Sequence, residues 1–130
     1  MIVVDASALV EVLLRTSAAG AIEQRIFAAG ETLHAPHLID VEIVQVLRRY
    51  SAAGLLSRSR GQEALQDLAD LPLARYPHDI LLERAWELRR NFTAYDAVYV
   101  ALAEALDAPL VTRDRRIAGA PGHRARVELV

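Results

Sequence analysis

The chain contains no cysteine. That excludes disulfides, thiolate metal sites and cysteine nucleophiles, and it fits a cytoplasmic protein. Lysine is absent too, so all 15 basic residues are arginine. Schiff-base lysines and the lysine of a Walker phosphate loop are thereby ruled out. No apolar run is long enough to span a bilayer. The start carries neither the basic region nor the cleavage pattern of a signal peptide, so none is expected. No repeat, low-complexity tract or linker breaks the chain. A strongly basic balance is also missing: the formal net charge of −2 does not match a simple nucleic-acid-binding module. If four acids share one metal site, taking their charges out of −2 leaves +2 for the remainder, so charge alone decides little.

What is present points to one globular domain, residues 1–130, with 53% hydrophobic residues and a core of its own. The chain opens on Met1-Ile2-Val3-Val4-Asp5-Ala6-Ser7-Ala8-Leu9-Val10. A continuous β-branched run suits a strand buried on both faces of a parallel sheet. Asp5 falls where that strand ends, and the carboxyl ends of such strands are where ligands bind. Ser7 is a candidate cap for the following helix, whose apolar positions are Leu9, Val10, Leu13 and Leu14.

Further along, a second helix is expected over 18–29, stopped by Gly30. Thr32-Leu33-His34-Ala35 reads as a strand ended by Pro36. A long helix follows over 38–53, with Asp40 as a candidate cap and Gly54 closing it. Ser57 caps a helix over 58–71. Residues 71–76 read as a weak strand whose Pro72 implies its first residue or a sheet edge. A fifth helix is expected over 78–90, and Thr93 caps a sixth reaching about 107. A strand at 109–112, a short helix and a last strand at 125–129 complete the chain. Short strands alternating with helices predict a parallel α/β sandwich with helices on both faces.

Four acids stand out by position. Asp5 ends the first strand, Glu42 lies in the first turns of the third helix, Asp96 near the start of the sixth, and Asp114 just after Leu110-Val111-Thr112. In a doubly wound sheet these places share one edge. Carboxylates clustered there repel one another unless a hard cation neutralises them, and Mg2+ or Mn2+ prefers such oxygen ligands. Each acid taken alone also has a local reading. Asp5 caps the first helix, Asp96 completes the capping box Thr93-Ala94-Tyr95-Asp96, and Asp114 caps the short helix. Glu42 resists such a reading, because it interrupts an apolar run without a basic partner one turn earlier.

With these residues the chain resembles the PIN-domain ribonucleases, specifically the VapC toxins of bacterial toxin–antitoxin pairs. The resemblance is carried by Val3-Val4-Asp5-Ala6-Ser7-Ala8, by Pro36-His37-Leu38-Ile39-Asp40-Val41-Glu42, by Thr93-Ala94-Tyr95-Asp96-Ala97-Val98-Tyr99-Val100-Ala101-Leu102-Ala103 and by Leu110-Val111-Thr112-Arg113-Asp114. Their order and spacing cover the whole chain. Asp5, Glu42, Asp96 and Asp114 match the family's acidic tetrad, Thr112 its supporting hydroxyl, and Ser7 lies beside the first aspartate.

The resemblance implies an α/β, PIN-like three-layer sandwich with a central, mainly parallel sheet flanked by helices. It also implies a Mg2+-dependent endoribonuclease, with Mn2+ as the other candidate ion, leaving 5′-phosphate and 3′-hydroxyl ends. A VapB-type antitoxin and a homodimer are the expected partners. Asp5, Asp96 and Asp114 are the expected direct ligands. Glu42 is a further ligand or a holder of metal-bound water, and Ser7 and Thr112 support the set.

Among the weaker signals, Arg113, Arg115 and Arg116 flank Asp114 and are the candidate RNA phosphate contacts. The four histidines share no metal spacing and read as structural or surface residues. Trp86 is expected in the core. The first two helices carry Leu9, Val10, Leu13, Leu14, Ile22, Ile26 and Phe27, more apolar surface than a small sheet edge needs. An antitoxin groove including Leu9, Leu13 and Ile22 is therefore expected, with burial in the domain's own core as the alternative. Other small magnesium-binding α/β folds fit poorly. A receiver domain needs an acidic pair near the first strand and a late lysine. A haloacid-dehalogenase-like phosphatase needs a second aspartate where Ser7 stands. A catalytically silent PIN-like module that binds protein or RNA is the alternative from another class.

Overall fold

The computed structural model describes residues 1–130. In chain order it contains β1 (Ile2–Val4), α1 (Ala6–Leu13), α2 (Ala19–Ile26), β2 (Leu33–Pro36), α3 (Leu38–Ala52), α4 (Arg58–Asp70), β3 (Leu73–Tyr76), a 3-10 turn (Asp79–Leu81), α5 (Leu82–Glu87), α6 (Ala94–Leu106), β4 (Leu110–Thr112), α7 (Arg115–Gly119) and β5 (Val127–Leu129). The five strands form one sheet in the order β3-β2-β1-β4-β5. Every pairing is parallel, with Val3 opposite both His34 and Leu110. No helix is long and apolar enough to cross a membrane.

The strand order fixes the layers. From β1 the chain steps to β2 and then β3, so right-handed crossovers place α1 to α4 on one face. From β3 it returns past β1 to β4 and then β5, which places α5 to α7 on the other. The order reverses between β1 and β4, and that switch point opens a crevice at the carboxyl edge of the sheet. Ile2, Val3 and Val4 are fully buried, as expected of a central strand covered on both faces. Alanines let α6 lie close: Ala97, Ala101 and Ala103 are buried where this helix packs on β1, β2 and β4. Pro72 directly precedes β3, and β3 is a sheet edge, where its missing amide hydrogen costs no ladder bond.

Several expectations change. The cap of α1 is Asp5, while Ser7 lies inside the helix. Asp40 does not cap α3; it forms a two-pronged ion pair with Arg75, at 2.7 and 2.9 Å. The α3 amide end is met instead from another element, where His78 Nε2 accepts from the Leu38 amide at 2.9 Å. α2 ends at Ile26, short of Gly30. The fifth helix divides into the 3-10 turn and α5, with Leu81, Ala85 and Leu88 on its buried side. Trp86 sits off that side and is 68% exposed, with the Arg89 guanidinium 4.6 Å from its ring centre. It is not a core residue. Leu9, Leu13 and Ile22 are buried in the core, so the expected groove does not lie there. His34 is buried between Thr32 and Tyr76, bonded to each at 2.8 Å, which is the structural role expected of it.

Candidate active site

β1 and β4 are neighbours, and their ends are stitched together by short polar side chains. Asp5 is 5% exposed. Its Oδ1 accepts from Ser7 Oγ at 2.6 Å and from the Ala8 amide at 3.2 Å, and its Oδ2 accepts from Thr112 Oγ1 at 2.6 Å. Thr112 is fully buried, and its Oγ1 also accepts from the Asp114 amide at 2.9 Å. Ser7 Oγ accepts from the Arg113 amide at 3.0 Å. One carboxylate thus organises the start of α1 and the turn after β4 together. Burial raises the pKa of Asp5, the bonds from Ser7, Thr112 and Ala8 oppose this, and the charge of Asp96 adds to it; the net direction is upward.

The other three acids arrive from three further helix starts. Asp114 caps α7, its Oδ1 accepting from the Arg116 amide at 2.8 Å. The Arg116 guanidinium also holds it, at 2.8 Å from Oδ2, and keeps its carboxyl below the usual range. Thr93 caps α6 by accepting from the Asp96 amide at 3.2 Å. Asp96 is half-buried; burial first, then the charge of Asp114, raises its pKa. Glu42, also half-buried in α3, accepts from the Tyr99 hydroxyl at 2.5 Å. Its pKa is raised by burial and, despite the Tyr99 bond, by the charges of Asp5 and Asp96. The four acids therefore meet electrostatically at the switch point, each feeling another or sharing a partner with it.

Local capping and clustering prove compatible, since Asp5 and Asp114 do both. The residues fit a hard divalent cation by their chemistry: the donors are all oxygen, and burial first, then the charge of a neighbouring acid, raises the pKa of three of them. As the side chains stand, no three are gathered closely enough to cage an ion. Mg2+ does not require such a cage, because it keeps several waters and is usually held by one or two carboxylates.

The candidate phosphate contacts are spread around this cluster. Arg113 is exposed and pairs with Glu11 at 3.5 Å, Arg116 is engaged by Asp114, and Arg115 is exposed. Beside Ser7 and Glu42 opens a groove of about 620 Å3 between α1 and α3, bordered by Val10, Leu38, Val41, Val46, Tyr50 and Tyr95. Sequence reasoning missed this groove and missed Tyr99. A signal for Tyr99 was present: it follows Asp96 by three positions in an otherwise apolar helix, and a buried phenol needs a hydrogen-bond partner.

Comparisons with known proteins agree with this geometry. The PIN domain family matches residues 2–122. Ribonuclease VapC12 of Mycobacterium tuberculosis is 43% identical over 130 residues, covering 100% of this chain and 99% of that protein. Ribonuclease VapC9 of the same species is 50% identical over 117 residues, covering 90% of this chain and 88% of its own. Among solved structures, VapBC2 from Rickettsia felis, crystallised with a DNA fragment from the promoter, superposes with a TM-score of 0.67 at 16% identity. That likeness covers 99% of this chain and 98% of the other, and it shows the fold.

Proposed function

The chain belongs to the PIN-domain family and, within it, to the VapC proteins, and on that premise we propose that it is a metal-dependent endoribonuclease acting as the toxin of a toxin–antitoxin pair. What supports the proposal is the placement of Asp5, Glu42, Asp96 and Asp114 around the switch point between β1 and β4, three of them with pKa values raised by burial first and then by one another's charge.

Asp5, Asp96 and Asp114 would hold the ion, some of them through its retained waters, and Glu42 would be a further ligand or a holder of that water. When bound, Mg2+ or Mn2+ would supply Lewis-acid charge and make water a better nucleophile toward a phosphodiester. The rest falls to the chain itself. Ser7 and Thr112 hold both oxygens of Asp5 and favour its ionised form, the one a hard cation needs. Tyr99 does the same for one oxygen of Glu42. Arg113, Arg115 and Arg116 hold RNA phosphates near the cluster. No protein nucleophile takes part, and the products carry 5′-phosphate and 3′-hydroxyl ends.

The antitoxin side of the proposal uses the groove beside Glu42. Val41 is 68% exposed and Tyr95 63% on its border, an apolar surface suited to an amphipathic segment. A basic side chain from that segment would reach the carboxylates and exclude substrate. A homodimer belongs to the same reading. The test is incubation of purified protein with mixed RNAs in Mg2+, in Mn2+ and in chelator, beside Asp96→Asn. Metal-dependent cleavage lost in the variant supports the proposal. Binding of RNA without cleavage under every condition assigns the silent module instead.

A further inference from the structure

We propose that Tyr99 is a positioning residue for Glu42, its hydroxyl fixing which carboxylate oxygen faces the acid cluster. The proposal rests on the metal-dependent nuclease reading and deepens it. Tyr99 is 2% exposed, and its hydroxyl donates to Glu42 Oε1 at 2.5 Å. That one hydroxyl therefore joins α6 to α3. α3 and α6 lie on opposite faces of the sheet, so the bond ties the two helical layers together across the carboxyl edge. Filling the space does not require it, because phenylalanine has nearly the same volume and Tyr99 is buried in an otherwise apolar stretch of α6. The hydroxyl is there for its bond.

Glu42 needs such a brace. Its side chain has several rotatable bonds and, unlike Asp5 and Asp114, it caps no helix whose amides would hold it. With Oε1 committed to Tyr99, Oε2 is left for the cluster. Tyr99 also stands one helical turn beyond Asp96, so a single helix sets both the Asp96 carboxylate and the brace of Glu42.

The experiment titrates Mn2+ alone, by calorimetry and by thermal shift without RNA, into wild type, Tyr99→Phe, Glu42→Gln and the double variant; kcat and KM for RNA cleavage are measured in parallel. Removing a partner that orients a metal ligand typically costs about 10–100-fold in metal affinity or activity. Tyr99→Phe is expected to weaken Mn2+ binding by about that factor and to lower kcat, with KM for RNA within about twofold. The double variant is expected to bind no more weakly than Glu42→Gln alone, because Tyr99 acts through Glu42. Wild-type Mn2+ binding and kcat in Tyr99→Phe overturn the proposal, and so does a Tyr99→Phe loss that adds in full to that of Glu42→Gln. If Tyr99→Phe does not fold, Glu42→Asp replaces it, since the shorter side chain retracts from the phenol; wild-type Mn2+ binding there overturns the proposal. A wild type that neither binds Mn2+ nor cleaves RNA sinks the nuclease reading together with this one. A competent wild type with an unaffected Tyr99→Phe sinks this one alone.

Discussion

Thr112→Val tests the core of the site without touching an acid. The exchange nearly preserves shape but deletes the hydroxyl that donates to Asp5 Oδ2 at 2.6 Å and accepts from the Asp114 amide at 2.9 Å. A hydrogen bond to a charged group contributes about 1.5–3 kcal/mol and a neutral one about 1 kcal/mol, which together give a loss of about 3 kcal/mol. For a chain of this size that corresponds to a fall in Tm of about 10 °C. The loss depends on pH, and its sign follows from Asp5. The folded-state pKa of Asp5 is already raised by burial, and the Thr112 bond is one of the contacts that hold it down. A carboxyl whose folded pKa exceeds its unfolded value loses stability as pH rises through the interval between them. Valine extends that interval upward. The deficit against wild type is therefore smallest in the ordinary carboxylate range, where Asp5 is protonated in both proteins, and full above the folded pKa. Thermal melts of the metal-free proteins at two pH values, one in the ordinary carboxylate range and one well above it, provide the assay. Thr112→Ser keeps the hydroxyl and should recover most of the difference. An equal deficit at both pH values, or none at the higher, refutes the account of Asp5 as a buried carboxylate held ionised by hydroxyl donors.

Asp96→Asn should abolish RNA cleavage while leaving the metal-free Tm unchanged or higher, because one repelling charge is gone and the Thr93 cap remains; a marked drop in Tm would reduce Asp96 to a structural role. Mg2+ or Mn2+ at about a hundredfold over Kd should stabilise the wild type by about 2.7 kcal/mol and leave Asp5→Asn unmoved, and the absence of any shift at millimolar metal counts against the site. Arg116→Gln frees Asp114 from its guanidinium partner and removes one phosphate contact, so the logarithmic salt dependence of RNA binding should flatten by about 1; an unchanged slope takes Arg116 out of the interface. Val41→Asp, whose side chain is exposed on the groove and is not one of the four acids, should weaken antitoxin binding far more than cleavage, as measured by calorimetry and by RNA digestion.

Much of the fold was legible because it follows from local pattern. The apolar run Ile2-Val3-Val4 names a central strand, Ser57 and Thr93 announce helix starts, and Pro72 marks an edge. Errors arose where a partner far along the chain overrides the local signal. Asp40 looks like a cap but is claimed by Arg75, a residue of the neighbouring strand β3. Trp86 looks like core, yet the break between the 3-10 turn and α5 sets the buried stripe at Leu81, Ala85 and Leu88 and leaves the indole outside. Leu9, Leu13 and Ile22 were correctly read as an apolar stripe. What the pattern did not give is its destination, because periodicity identifies a face without naming what covers it.

The acids were legible for a further reason. A cap and a metal ligand ask for the same residue at the same place, a short carboxylate where a helix begins at the carboxyl edge of a sheet. The helix amides hold such a side chain in one orientation, and that orientation faces the crevice. Asp5 shows the double use: Oδ1 takes the Ala8 amide while Oδ2 is held from the adjacent strand by Thr112. Glu42 has no amide to lean on, which is why it looked anomalous in the sequence. Its brace comes from Tyr99, a residue 57 positions away, and only folding could reveal it. A buried acid that caps nothing is thus the sequence feature that calls for a distant hydroxyl.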